Sequence, residues 1–382
     1  MRRTWLLIVA LGLFLFILPA YADWTAAKRL TWNSGDSMNP DLAVDSEFNF
    51  HVVWYDKTPG PSEIYYRRST DLGISWSPMK RLTWTAGDSY DPQIAIDSSD
   101  ALHVVWYDYT PGLPDIYYRR SADGGLTWNM TQRLTWTSGW SYNPAIAIDS
   151  SGALYVVWSE EVPGTIEVYY RKSTNGGTTW SSPQRLSWNS GDSYFPAIAP
   201  DSGDDLHVVW EDFTPGYAEI YYKRSTDGGA TWSAEESLTS TSGSSCSPAM
   251  AATLVNTLHV VWRDGTPGNE EIYYKKSGNG GLTWRADKRI TWTSGDSYFP
   301  AIAINSGTTI HVVWHDWTPG SPDLYCKKST DGGTSWSPVQ RLTWNSGESW
   351  KPEIAVDGSG SVHIVWADDT PGNYEIFHKS GK

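Results

Sequence analysis

The sequence predicts an all-β fold, a seven-bladed β-propeller of 52-residue, four-stranded blades, and three observations carry that prediction. The first is composition: 382 residues include 24 Trp, 22 Tyr, 34 Gly and 22 Pro but only 5 Met, with 19% charged residues. Aromatic and β-branched residues suit pleated surfaces, and Gly and Pro punctuate turns. The second is repetition. R-L-T-W starts at Arg29, Arg81, Arg133 and Arg341, reads R-L-S-W from Arg185 and R-I-T-W from Arg289, and survives as S-L-T-S from Ser237. Every step is 52 residues. Self-similarity at that period means a solenoid, propeller or array. The third is closure. Seven units need 364 residues and 23–382 supplies 360, with the shortfall corresponding to Asp331–Thr334 of the preceding unit. The two ends are thus complementary parts of one blade, and the strand Trp24–Thr31 should pair with Glu375–Ser380. Closing the ring removes exposed sheet edges.

Each blade reads the same way, and the second unit serves as the example. Pro92–Asp97 alternates small and large residues, Leu102–Asp108 is rich in β-branched and aromatic residues, and Asp115–Arg120 is the third run. Trp128–Thr135 gives a weaker fourth. Ser98-Ser99-Asp100, Thr110-Pro111-Gly112 and Asp123-Gly124-Gly125 are the turns between them. No segment sustains a helical period.

Residues 1–22 read as a secretory signal peptide: Arg2 and Arg3, an apolar run from Trp5 to Leu18, and Ala20-Tyr21-Ala22 as cleavage site. A single propeller domain, 23–382, is expected outside the cytoplasm, secreted or at the cell-envelope exterior or periplasm. It should be a monomer with no membrane span once the signal is removed. Losing the two arginines takes the net charge from −14 to −16. Such an acidic chain has no basic footprint for nucleic acid. Cys246 and Cys326 replace Tyr at different repeat positions, so no bond between them is expected.

The turn between third and fourth strands reads Ser-x-Asp-x-Gly-x-x-Trp in Ser69–Trp76, Ser121–Trp128, Ser225–Trp232 and Ser329–Trp336, with Asn175 and Asn279 replacing Asp in Ser173–Trp180 and Ser277–Trp284. It resembles the Asp-box (bacterial neuraminidase) repeat of the sialidase-like propellers. Six copies at a fixed period make the resemblance specific. The resemblance implies structural boxes on the face opposite a catalytic site. It would imply sialidase activity only with three carboxylate-binding arginines, a Tyr–Glu pair, an acid/base Asp and an R-I-P motif. No R-I-P is present, and only Arg263 and Arg285 stand outside the repeat pattern. Near-identical blades also lack the asymmetry a reaction centre needs.

A ligand is expected on the face away from the boxes, where two loop sets meet. One contains Trp84, Asp88 and Tyr90, with Trp136, Trp188, Asp192, Trp292 and Asp296 in other copies; the other contains Tyr107 and Asp108. Aromatic faces beside carboxylates suit sugars. The fifth unit loses four such groups together, with Ser237, Ser240, Ser244 and Cys246 in place of Arg, Trp, Asp and Tyr, as if they formed one cluster. The residue after the second-strand Trp is the most diverse position, and Glu211, Arg263 and His315 there would form one asymmetric patch on consecutive blades. A catalytic set is not expected. Nor is a cofactor: the recurrent loop Asp residues raise only Ca²⁺, and no D-x-D-x-D-G loop supports it. The expected role is a non-catalytic binding or scaffolding module for glycan or an extracellular protein. The alternative is a divergent sialidase-like glycoside hydrolase, which would need a carboxylate pair or a Tyr–Glu pair near the channel mouth.

Overall fold

The computed structural model describes residues 24–382 except 59, 215, 254, 255, 306, 307 and 319; the expected signal peptide lies outside the described residues. The 28 strands form seven separate four-stranded antiparallel sheets. Blade 1 comprises Ser37–Val44, Phe50–Asp56, Glu63–Ser69 and Lys80–Arg81, from channel to rim. The seventh comprises Ser349–Val356, Val362–Asp368, Glu375–Gly381 and, from the other end of the chain, Lys28–Arg29. Lys28 pairs with His378 and Arg29 with Phe377, and Leu30 N–H donates to Ile376 O at 2.6 Å. Leu30 is fully buried against Val365, Ala367 and Ile376, so the N-terminal strand closes the ring through packing as well as hydrogen bonds. The fourth strands are shorter than their sequence signal, two paired residues each.

The core lies between blades. Val53, Ile64, Tyr66 and Leu82 of blade 1 pack on Leu102, Val104 and Trp106 of blade 2. The second-strand Trp is buried in every blade. Box turns fasten neighbours at the lower end. Tyr66 donates from Oη to Gly124 O at 3.1 Å and lies edge-on to Trp128, centroids 5.3 Å apart. Inside a box, Asp71 accepts Ser75 N–H at 2.7 Å, and Ser69 Oγ accepts Gly73 N–H at 2.9 Å. The strand histidines serve this end too: His51 joins Tyr66 Oη (2.8 Å) to Asp45 (3.1 Å).

The innermost strands depart from regular alternation. Each has a bulge, and its residue is left-handed: Asn39, Asp91, Asn143, Phe195, Ser247, Phe299 and Lys351, with φ between 46 and 52°. Such a bulge re-aims side chains, and most of these line the central channel. Cys246 and Cys326 are buried free thiols.

Candidate functional site

Strand direction places the loops after the second strands and the blade-to-blade connections at the upper end, away from the boxes. The connection packs tightly there. A Cβ on Gly295 would lie 2.3 Å from Thr318 N and 2.4 Å from the Trp317 carbonyl carbon, so only glycine lets the two loops touch. Asp88 Oδ1 accepts Ser62 N–H at 2.6 Å, Asp192 accepts Ile166 N–H at 2.9 Å and Asp296 accepts Glu270 N–H at 2.9 Å. These carboxylates are loop clamps first, each with one oxygen outside the clamp.

The expectation that Trp, Tyr and Asp stand side by side is corrected by the structure. Trp32, Trp84, Trp136, Trp188, Trp292 and Trp344 are 60–67% exposed and sit at the outer rim. Each lies against a cation of its own repeat, such as Arg81 over Trp84 at 5.7 Å. Most also face one from the next blade, such as Lys223 over Trp188 at 4.7 Å. Tyr90 and Tyr107 lie at the inner mouth, packed edge to face with Tyr55 and Tyr109 at 4.9–6.2 Å. The four groups lost in the fifth unit are therefore not one cluster. Arg and Trp are rim partners, while Asp and Tyr belong to the mouth, as in Tyr194 Oη donating to Asp192 at 3.2 Å.

Three further expectations change. Asp108 is 1% exposed and receives Ser89 Oγ–H at 2.6 Å and Thr110 N–H at 2.7 Å; it is sealed within the strand end. Glu211 is 5% exposed and accepts Ser247 N–H of the next blade at 2.8 Å, and burial raises its pKa. His315 is fully buried and stacked on Trp350 at 4.2 Å, its pKa pushed down to about 3 by burial, so its ring is neutral and unreachable. The diverse position lies near the end of the second strand, where Glu211 and His315 meet the next blade's bulge.

Arg263 and Asp296, however, come together. They line an upper-face pocket of about 400 Å³ with Tyr298, Phe299, Trp317 and Trp350, contributed by blades 5, 6 and 7. Trp317 and Trp350 are near-perpendicular at 6.2 Å, and Arg263 lies over Tyr298 at 5.2 Å. Arg263 is already paired with Glu270 at 2.9 Å. His315, from beneath, fixes Trp350. The pocket is asymmetric because single-blade departures coincide there. Trp317 occupies the place of Lys57, Tyr109, Glu161, Phe213, Gly265 and Asp369, and Trp350 that of Met38, Tyr90, Tyr142, Tyr194, Cys246 and Tyr298. These two repeat columns together mark the pocket in the sequence.

Phe299 also lines the central channel, a cavity of about 280 Å³. Glu353 and Asp41 form an interacting carboxylate pair beside this cavity. Glu353 faces the cavity, but Asp41 accepts backbone N–H from Leu42 (2.8 Å) and Ile94 (2.7 Å), committing both oxygens. Among the described residues no group of His, Cys, Asp and Glu is suited to hold a metal, and no helix is long and apolar enough to cross a membrane.

Comparison with known proteins places this geometry. The chain is 27% identical over 223 residues to a xyloglucanase of Acetivibrio thermocellus, matching 52% of this chain and 25% of that protein. It is 25% identical over 353 residues to a xyloglucanase of Hypocrea jecorina, matching 85% of this chain and 36% of that protein. The chain thus spans only about a quarter to a third of these relatives' length. Among solved structures, an ulvan lyase superposes with a TM-score of 0.67 at 12% identity, over 92% of this chain and 95% of that one. A Hadza microbial sialidase superposes with a TM-score of 0.53 at 16% identity, over 87% and 73%. At these identities the superpositions establish the fold. The family model described as a BNR repeat-like domain matches residues 112–364, most of the ring, and the chain belongs to that family.

Proposed function

We propose that this protein is an exported carbohydrate-binding propeller that seats a neutral sugar unit in the pocket formed by Arg263, Asp296, Tyr298, Phe299, Trp317 and Trp350. The observation that carries the reading is that pocket, with four half-buried aromatic side chains and two polar groups in about 400 Å³. Sugar rings stack their C–H faces on aromatics and direct hydroxyls to polar groups. Neutrality follows from charge: Glu270 already balances Arg263, so no spare cation remains for a carboxylated sugar. The six rim tryptophans add weaker stacking sites that would hold a long chain by avidity. Relatives named xyloglucanases agree in substrate class.

The test is calorimetric titration of the protein with xyloglucan-derived oligosaccharides and with sialyllactose. Binding of the neutral oligosaccharide alone is expected. Trp350→Ala with Trp317→Ala should weaken it tenfold or more, about 1.4 kcal/mol or above, with no release of reducing ends. Tighter binding of sialyllactose would overturn the reading. Steady reducing-end release would move it to a hydrolase.

A further inference from the structure

The channel carries a second feature, which shares Phe299 with the sugar pocket. A left-handed backbone favours Gly, Asn or Asp. Asn39, Asp91 and Asn143 obey that preference, but Phe195, Phe299 and Lys351 occupy the same conformation. Strain retained at equivalent positions points to use. The residues divide the channel into two walls. Phe195 and Phe299, with Ala145, Ala197, Ala249 and Ala301, make one apolar wall. Asp91, Lys351 and Glu353 make the other, with Asp41 behind them.

Glu353 is enclosed within the ring, keeps part of its side chain open to the channel, and has no hydrogen-bond partner among the described residues. Lys351 shows what the walls accept: its ammonium lies 3.4 Å from Asp91 and 6.0 Å from the centre of the Phe299 ring, between carboxylate and aromatic face.

We propose that the channel is a binding site for a small organic ammonium ion, held by the Glu353 carboxylate with Asp41 behind it and by the faces of Phe195 and Phe299. The volume fits a fragment-sized ligand. The donor set does not suit a metal. When the channel is empty a proton takes the ligand's place. Burial and then the charge of Asp41 push Glu353 up to about 8, and burial pushes Asp41 up to about 6. The other charged groups here are Asp91 and Lys351, 3.4 Å apart, and the Lys351 charge draws both carboxyls part of the way back down. From blade 6 only His315 approaches, its Nδ1 3.4 Å from Lys351 N, and it is neutral. Blades 3 to 5 contribute no ionisable side chain to the channel wall. Ammonium binding therefore releases the Glu353 proton.

The test is calorimetric titration of the purified protein with cyclohexylammonium chloride from pH 5.5 to 8.5, with cyclohexanol as neutral control. Affinity should rise with pH and level off once Glu353 is ionised, with a proton released on binding below that plateau. Glu353→Gln should lose at least tenfold in affinity at pH 8 together with the pH dependence. Phe195→Leu should weaken binding and keep the pH dependence, which tests the site should the first variant fail to fold. Absence of saturable binding at pH 8.5, equal affinity for cyclohexanol, or a pH-independent affinity would each overturn the proposal. None of these outcomes bears on Trp317 and Trp350.

Discussion

Asp108, at a strand end, and Asp296, in a loop, show how the same side chain takes two roles. Asp108 is enclosed, with its oxygens committed to Ser89 and Thr110, so Asp108→Ala strands a buried hydroxyl and an amide. It should cost about 1–3 kcal/mol, read as a lower urea midpoint, while sugar binding at the Trp317–Trp350 pocket is unchanged. Asp296 clamps Glu270 N–H through one oxygen and turns the other toward Tyr298 Oη at 3.3 Å, on the pocket wall. The two stand at different places in the repeat, and their neighbours decide which is sealed. Gly125 makes the same point for backbone. Its φ is +82°, and an added Cβ would lie 2.1 Å from Tyr66 Oη of the preceding blade. Gly125→Ala should destabilise the ring by more than the usual glycine effect, because both strain and clash act at a blade junction.

At the scale of the element, the box turns and the closing strand are the parts most open to test. Asp71, Asp123, Asp227 and Asp331 are each held down to about 2, first by hydrogen bonds from the Ser or Thr four residues on. Their unfolded value is near 3.9. The sign follows directly: their contribution is complete above pH 4 and disappears as pH falls toward 2. Replacing all four by Asn, as Asn175 and Asn279 already do naturally, should flatten the melting temperature between pH 4 and 2. The closing strand is held by Leu30, the Arg29–Glu375 ion pair at 2.6 Å and the Thr25–Ser380 contact. Deleting residues 24–31 leaves the third strand of blade 7 as an open edge and uncovers Ile376. Loss of a single cooperative transition is the expected outcome, seen by calorimetry.

For the whole molecule the ring sets opposing pH limits. His259, His315 and His378 are pushed down to about 3 and His311 to about 4, chiefly by burial. They fold neutral, and the unfolded chain takes up protons below about 6.5. Stability should therefore begin to fall at pH 6.5, well before the box aspartates titrate, and continue to about pH 3. Glu353 acts at the other end. Its raised value means that its contribution is intact below about 4.5 and lost as pH rises through 8. Glu353→Gln should raise the melting temperature at pH 8 to 9 and leave it unchanged near pH 5. The channel that makes this carboxyl a liability exists only because seven inner strands meet, which no single blade contains.

The sequence by itself determined the blade count, the strand order within a blade and the use of Trp24–Thr31 to finish the last sheet. These follow from period and alternation, which are local and repeated seven times. It also singled out Arg263 and Asp296, because one departs from its repeat and the other lies in an aromatic loop. The tertiary structure alone decided which aromatics share a surface. Trp84 and Tyr90 are six residues apart, yet the loop between them runs inward from rim to mouth, so their rings never meet. Trp317 and Trp350 are 33 residues apart and do meet, because adjacent blades bring a loop and a strand bulge together. Sealing of Glu211 and His315 likewise depends on the next blade. Period gives each blade its own fold, whereas contact, burial and charge at the site are properties of the junctions between blades.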